Sequence, residues 1–332
     1  MSTQPTMKAL IIESANSLFR VTEMPRPAPG AGEVLVRVKA SGVNPLDTKI
    51  RAGAAGHARQ PLPAILGIDL AGVVESVGPD VSAFRRGDEV YSMTGGVGGI
   101  QGSLAEYAAV DADLLALKPH NLSMREAAAL PLVFITAWEG LVDRANVRSG
   151  QKVLVLGAGG GVGHIAVQIA RSYGADVYAV DGASKADYLK GLGATPIDRA
   201  SESVESYVQA YTGGKGFDLV YDTVGGAGLD TAFQAVRRFG HVVSCLGWGT
   251  HALAPLSFKE ATYSGVFTLH PLLSGEGRAH HGDIMREATG LVEAGAVMPK
   301  LDERRFTFAN ASVTHDLIEN RQANGKLVID ID

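Results

Sequence analysis

Leu154-Val155-Leu156-Gly157-Ala158-Gly159-Gly160-Gly161-Val162-Gly163 is the stretch on which the reading of this chain turns. An apolar run of buried parallel-strand type, Lys152 to Leu156, leads into it. Five glycines fall within seven positions, and apolar residues at helical spacing follow from Val162 to Ala170. Ala158, Gly160 and Gly163 take the spacing G-x-G-x-x-G, with alanine at the first place, and Gly161 and Val162 complete the turn. Glycine at these places permits a tight turn, lets the backbone approach a pyrophosphate, and lets the helix close on the strand. The helix N-terminus then presents free N–H groups and a positive dipole end to phosphates. A strand before and a helix after separate such a turn from a merely flexible glycine loop.

Outward from the turn the same alternation continues. Asp176 to Val180 reads as the next strand, and Phe217 to Tyr221 and His241 to Leu246 as two more, with helices between them. Strands alternating with helices give a doubly wound parallel sheet. Asp181 ends the second strand eighteen residues after Gly163, where an acid holds adenosine ribose hydroxyls and repels a 2′-phosphate. That favours NADH slightly over NADPH. Ser184 and Lys185 follow at once and could hold a 2′-phosphate, and Asp181 could instead cap a turn with Gly182.

The first hundred residues have another texture. Glu33 to Ala40 alternates charged and apolar residues, and Ala71 to Gly78 and Asp88 to Tyr91 are further short strands, with Pro25, Pro27, Pro29, Gly30 and Gly32 marking turns. This is a barrel-like or sandwich β texture. Ser123 and Glu126 have capping-box spacing ahead of an Ala-rich helix broken at Pro131, and a second helix is expected to start near Thr136. After a helix from about Gly282 to Ala294, Arg304 to Phe308 and Lys326 to Asp330 read as strands returning to the first domain, around a helix near Asn310 to Asn320. The expected division is residues 1–126, completed by 298–332, for the β domain, and 127–297 for the doubly wound domain. The fold class is α/β.

Composition excludes several classes. The chain has 332 residues, 46% hydrophobic and 20% charged, enough to bury two cores and too apolar for disorder. A net charge of −5 with no Lys/Arg block speaks against nucleic acid. Cys245 stands alone, so no intramolecular disulfide and no multi-thiolate metal site can form. Met1 to Lys8 shows no basic region ahead of a long apolar run, as a secretory signal would. The charge-poor run from Val153 to Ala170 is the phosphate turn and its flanks, not a membrane span. A soluble cytoplasmic protein is expected, with no membrane and no nucleic-acid partner.

The chain resembles the medium-chain dehydrogenase/reductase superfamily, in particular its zinc-free quinone oxidoreductase branch. The resemblance covers nearly the whole length and is carried by Ser41 to Asp47, Leu66 to Gly72, Arg86 to Tyr91, Gly102 to Tyr107, Ala158 to Gly163, Tyr221 to Gly226 and Gly325 to Val328. It implies a GroES-like β domain, a Rossmann domain and a substrate cleft between them. Zinc-dependent members place ligands where this chain has Asn44, Ile68 and Leu132, none a usual zinc ligand, so no metal is expected. Without a Lewis acid for an alkoxide, the reaction left is NAD(P)H-dependent hydride delivery to a quinone or an α,β-unsaturated carbonyl. A nucleotide-binding sensor or a structural or RNA-associated protein is the alternative.

The resemblance places Asn44 and Asp47 in the cleft, and Lys49 would share a strand face with Asp47 and could donate to a developing oxyanion. It places Thr136, Leu246, Gly247, Trp248, Phe267, Leu269 and Lys326 at the cofactor, with Trp248 also a candidate wall of the cleft. Thr136 has a second reading as a helix N-cap, and Asn44 with Asp47 as a polar pair fixing the turn at Pro45. His164 is expected to be exposed, His280 and His281 to lie at the surface, and Cys245 to be an inert core thiol. Relatives imply a homodimer.

Overall fold

A computed structural model describes residues 5–331. Met1 to Gln4 and Asp332 lie outside the described residues, and with them half of the N-terminal stretch read for a secretory signal. In chain order the elements are β1 (Thr6–Ile12), β2 (Arg20–Pro25), β3 (Glu33–Val43), α1 (Pro45–Arg51), β4 (Ala64–Ile65), β5 (Asp69–Val77), β6 (Glu89–Met93), β7 (Tyr107–Asp111), β8 (Ala116–Leu117), α2 (Met124–Ala128) and α3 (Pro131–Trp138). Then come β9 (Lys152–Leu156), α4 (Gly161–Ser172), β10 (Asp176–Asp181), α5 (Ala186–Gly191), β11 (Thr195–Asp198), α6 (Val204–Thr212), β12 (Phe217–Asp222), α7 (Ala227–Ala235), β13 (Val236–Ser244), α8 (Ala254–Lys259) and β14 (Thr262–Gly265). The chain closes with α9 (His270–Ser274), α10 (Arg278–Glu293), α11 (Ala311–Glu319) and β15 (Leu327–Asp330).

Two compact units result: residues up to Leu132 together with Leu269 onward, and Val133–Thr268. In the first, an antiparallel sheet runs β15-β3-β5-β6-β8, with β7 also on β3, and a smaller one runs β2-β1-β4. Alternate residues of β3, β5 and β7 (Val34, Val36, Val38, Leu70, Val74, Ala108 and Val110) bury one face. β3 crosses β5 so closely that a Cβ at Gly72 would stand 2.4 Å from the Arg37 carbonyl oxygen, which requires glycine there. The second unit is a parallel six-stranded sheet, β11-β10-β9-β12-β13-β14. Chain order reverses between β9 and β12, the switch point where such sheets bind ligands.

Three expectations change. The units divide at Leu132 and Thr268, whereas the sequence reading divides at 126 and 297. α10 lies with the first unit because Ile284, Met285, Ala288 and Val292 are buried and the Tyr91 hydroxyl donates to the Met285 carbonyl at 3.0 Å. α3 begins at Pro131, not near Thr136: proline lacks the N–H that a first helical residue does not use, so it starts this helix rather than breaking it. Thr136 is therefore inside a helix and is no N-cap. Arg304 to Phe308 forms no strand. Arg304 is instead paired with Asp302, and only Phe306 bridges to Ile329.

Candidate active site

In the first unit β3 runs directly into α1, with Asn44 as the junction. The Asn44 N–H donates to Asp47 Oδ2 at 2.8 Å, closing the first turn of the helix. The Asn44 side chain looks elsewhere. Its Nδ2 donates to Asp69 Oδ2 at 2.9 Å, and its Oδ1 accepts from Lys326 Nζ. The same ammonium donates to the Val43 carbonyl at 3.2 Å and lies 3.4 Å from Asp69 Oδ2. Asp69 Oδ1 accepts from the Leu132 N–H at 2.8 Å. Asn44, Asp47, Asp69 and Lys326 are all buried. Burial pushes the Asp47 carboxyl up to about 7, and Asp69 adds to the rise while the Asn44 N–H and Lys326 oppose it. Burial also raises Asp69, with Lys326 as the main opposing charge.

Lys49 is not part of this group. Residues 45–51 are helix, not strand, so two positions on from Asp47 is a turn of about 200° around the axis. Lys49 is exposed, with no shared face. Of the three places where relatives carry zinc ligands, Asn44 is committed to Asp69 and Lys326, Ile68 is buried, and Leu132 meets Asp69 through its backbone. Among the described residues no group of three His, Cys, Asp or Glu side chains could hold a metal ion.

In the second unit the glycine turn leaves β9 and enters α4. Gly157 takes φ +74°, a conformation that favours glycine. A Cβ on Gly163 would meet the Gly157 carbonyl oxygen at 2.2 Å and the buried Ala158 at 2.7 Å, so the helix closes on the turn only with glycine there. A Cβ on Gly160 would meet only the Gly157 oxygen, at 3.2 Å. The space over Gly160 is thus free of protein. Gly160 is also the N-cap of α4 and brings no side chain to it, so the end of the helix beside Gly161 and Val162 is open to an anion. The turn fits a dinucleotide pyrophosphate.

Asp181 ends β10 beside this turn. Its Oδ2 accepts from the Gly159 N–H at 2.7 Å and its Oδ1 from the Gly182 N–H at 2.8 Å, and Arg199 lies 3.6 Å away. Asp181 therefore fixes the turn, as its second reading has it. Ser184 is exposed and Lys185 half-buried, the Lys185 side chain reaching the edge of Gly159.

Beyond the ends of β13 and β14, Trp248 and Phe267 meet edge to face with ring centres 6.3 Å apart, both partly exposed. Leu246 is held by its N–H on Ser244 Oγ at 3.0 Å, and its carbonyl accepts from the Trp248 N–H across Gly247. Thr136 Oγ1 lies 3.1 Å from Thr268 Oγ1, and the Tyr221 hydroxyl donates to the Thr136 carbonyl at 2.6 Å. Leu269 is buried in the first unit as the N-cap of α9. His164 is buried, not exposed, with Nδ1 2.9 Å from the Gly160 carbonyl. The histidine pair is split, His280 exposed and His281 buried. Burial pushes the Cys245 thiol up to about 12, which makes it a poor nucleophile.

Sequence reasoning gives Asp69, Thr268 and Glu139 no role of their own. Asp69 stands in Gly67-Ile68-Asp69, a segment notable in the sequence only for the metal ligand it lacks. Glu139 carries no motif, Thr268 is noticed only as part of the stretch Phe267 to His270 that resembles a cofactor-contacting strand end, and only the fold brings the two side chains to 2.9 Å.

Residues 30–120 match the family described as alcohol dehydrogenase GroES-like domain, and residues 161–276 the family described as zinc-binding dehydrogenase. A 2-methylene-furan-3-one reductase of Solanum lycopersicum is 37% identical over 305 residues, 90% of this chain and 71% of the relative. The chain belongs to the medium-chain dehydrogenase/reductase superfamily. An NADPH-dependent alkenal/one oxidoreductase of Arabidopsis thaliana is 35% identical over 90% of this chain and 72% of its own. A solved alcohol dehydrogenase superfamily protein from Novosphingobium aromaticivorans superposes with a TM-score of 0.97 at 59% identity, covering 98% of this chain and 100% of its own. The chain is an oxidoreductase that works with a nicotinamide cofactor, built from a GroES-like antiparallel domain and a Rossmann domain. No helix among the described residues is long and apolar enough to cross a membrane.

Proposed function

We propose that this protein reduces the carbon–carbon double bond of α,β-unsaturated carbonyl compounds, and quinones as related acceptors, without zinc. The observation that carries this reading is the fate of the three ligand places. Asn44 and Leu132 converge on Asp69, and an ammonium, Lys326 Nζ, supplies the positive charge among them. An alcohol needs a Lewis acid to become an alkoxide, whereas an enone is already electrophilic at its β-carbon. When bound, the reduced nicotinamide supplies the hydride. Gly160, Gly161 and the open end of α4 hold its pyrophosphate, with Ala158 and Gly163 shaping the turn and Val162 in the first turn of the helix. Leu246, Gly247, Trp248 and Phe267 border the nicotinamide half beyond β13 and β14, and Thr136 presents a hydroxyl there.

In this reading Asn44 and Asp47 shape the acceptor side of the first unit, and Lys326 holds Asn44 and Asp69 in place. A cavity of about 370 Å³ opens just past α1, lined by Ile50, Ala55, Arg59, Gln60 and Leu62 among others, a volume within the usual range for small ligands. Catalysis comes from orientation and from hydrogen bonds to the developing oxyanion. NADH is slightly preferred over NADPH, because a carboxylate, Asp181, stands at the ribose end and Arg199 at 3.6 Å offsets only part of its repulsion of a 2′-phosphate. The relative that uses NADPH makes this the finest point of the proposal. β14 is an edge strand with one neighbour, and Tyr263 on it and Phe258 in α8 before it are exposed, which suits a homodimer through that edge. Cys245 as the sole cysteine suits the reducing cytoplasm.

The test is cofactor oxidation by purified protein with a panel of enones, quinones and primary alcohols, with and without chelator. Turnover of enones or quinones that survives chelation is expected. Turnover of alcohols alone, or activity lost with the metal, would overturn the proposal.

A further inference from the structure

The reduction of an enone consumes one hydride and one proton, and the residues above account for the hydride only. The Rossmann unit holds a chain of exchangeable protons that the proposed chemistry has not used. Thr136 Oγ1 lies 3.1 Å from Thr268 Oγ1, and either oxygen can donate. Thr268 Oγ1 in turn donates to Glu139 Oε2 at 2.9 Å. Both threonines are 6% exposed, while Glu139 is half-buried. The chain therefore leads from two enclosed hydroxyls to a carboxyl that solvent reaches.

Its placement is set by the fold. Glu139 opens a π-helical turn, Glu139–Arg144, that continues α3, and such irregular turns are frequent at functional sites. The ring of Tyr221, from β12, lies so close to Gly140 that a Cβ there would stand 2.6 Å from it, and the same tyrosine bonds the Thr136 carbonyl. Thr268 follows three residues after the end of β14, next to Phe267. The hydroxyl pair thus stands with the carboxyl ends of β12 and β14, the half of a doubly wound sheet beyond its switch point, on the side where ligands bind.

We infer that Thr136, Thr268 and Glu139 form a proton relay that delivers the proton completing the reduction to the carbonyl oxygen of the acceptor. The inference rests on the reading of the protein as an enone reductase and names the group that reading lacks. The step balances as follows. The acceptor's β-carbon takes the hydride, the π pair of its double bond moves toward the carbonyl, and the charge arrives on oxygen. That oxygen takes the Thr136 hydroxyl proton, Thr136 takes the proton of Thr268, and Thr268 takes one that the Glu139 carboxylate picks up from water and passes inward. The enol so formed becomes the saturated ketone in solution. Thr136 touches the acceptor; Thr268 and Glu139 act through it.

The experiment compares the parent with Glu139→Gln, Thr268→Val and Thr268→Ser. In Glu139→Gln the new amide oxygen still accepts a hydrogen bond from Thr268, but the side chain cannot take up a proton from water and pass it on. Glu139→Gln and Thr268→Val are expected to lower kcat about 10- to 100-fold on an enone. KM for cofactor and enone should stay within about twofold. In both variants the solvent deuterium isotope effect on kcat should grow, and the effect of deuterium at the transferring position of the cofactor should shrink. Thr268→Ser restores the hydroxyl and should restore both rate and isotope effects. A readout apart from turnover is the infrared carboxylate band of Glu139, which should be missing from Glu139→Gln and should shift in Thr268→Val, where its hydrogen bond from Thr268 is lost. Unchanged kcat in both variants, or a loss of rate with unchanged isotope effects, would mean a structural clip and overturn the relay alone. A parent that reduces neither enones nor quinones would overturn the functional reading and the relay together.

Discussion

The phosphate turn and the buried cluster around Asn44 solve opposite problems with opposite means. The turn at 157–163 is made of backbone, kept bare by glycine, so that a charged ligand can replace water on open N–H groups. The cluster of Asn44, Asp47, Asp69 and Lys326 is made of side chains, closed to water, and offsets the Asp69 charge internally. A carboxylate taken out of water costs several kcal/mol unless a counter-charge and hydrogen bonds offset it, and Lys326 with Asn44 and the Leu132 N–H provide both. The bare surface at Gly160 should therefore matter greatly to binding and little to stability, and the charge pair Asp69–Lys326 the reverse.

Lys326→Met tests the second half of that contrast and carries the largest expected effect. It leaves Asp69 buried with no cation, which costs on the order of 3–5 kcal/mol. Urea denaturation followed by a signal from the first unit should show the loss, while NADH affinity of the folded variant stays near that of the parent. A variant as stable as the parent but weakened for NADH would place Lys326 at the cofactor instead and dissolve the contrast.

Gly160→Val tests the first half. The added side chain meets only the Gly157 oxygen on the protein side and fills the space left for pyrophosphate. Fluorescence titration should show NAD(P)H affinity reduced by about 100-fold or more, roughly 2.7 kcal/mol. The denaturation midpoint of the second unit, which holds Gly160, should hardly move. Unchanged affinity would mean that phosphate lies elsewhere.

The same contrast explains what can be read from the sequence. The turn is local: five glycines in seven positions between a strand and a helix carry their own explanation, and β9, α4 and β10 follow within a residue or two of the reading. The cluster is non-local. Asn44, Asp69 and Lys326 come from β3's end, the start of β5 and the start of β15, and no spacing links them. Resemblance singles out Asn44, Asp47 and Lys326 one by one but does not join them, and it passes over Asp69. Lys49 misleads because a two-residue offset means one face only on a strand, and Pro45 starts a helix. Thr136 misleads by the same kind of step, since a proline that reads as the end of a helix, Pro131, in fact begins one.

Asp47 sharpens the comparison through pH. Its folded carboxyl sits at about 7 against an unfolded value of 3.8, so the native state holds a proton that the unfolded chain gives up. Stability from this group is full below the unfolded value and falls as pH rises from about 4 to about 7, after which it is level. Asp47→Asn keeps an oxygen for the Asn44 N–H and removes the titration. The difference in unfolding free energy between parent and variant should shift by on the order of 2–3 kcal/mol in the variant's favour from pH 5 to pH 8. A pH-independent difference would mean that Asp47 is ionised within the fold.

Asp181 is the one carboxylate that belongs to both designs, and its effect is the smallest. Like Asp69 it accepts backbone N–H groups, from Gly159 and Gly182, and in the proposed function it also faces the cofactor's ribose. Each carboxylate oxygen can accept more than one hydrogen bond, so the bonds that fix the turn leave capacity for ribose hydroxyls. The charge that accepts those hydroxyls repels a 2′-phosphate, and Arg199 at 3.6 Å, with most of its side chain in solvent, screens only part of the repulsion. Asp181→Ala removes the repulsion and leaves Arg199 and Lys185 free to meet a phosphate. The ratio of kcat/KM for NADH over NADPH should exceed one in the parent and fall about tenfold in the variant, near 1.4 kcal/mol. A parent that favours NADPH, or a ratio that the substitution leaves in place, would make Asp181 a turn residue only. The phosphate turn would then be held together by the same closed, ligand-blind use of charge as the cluster around Asn44.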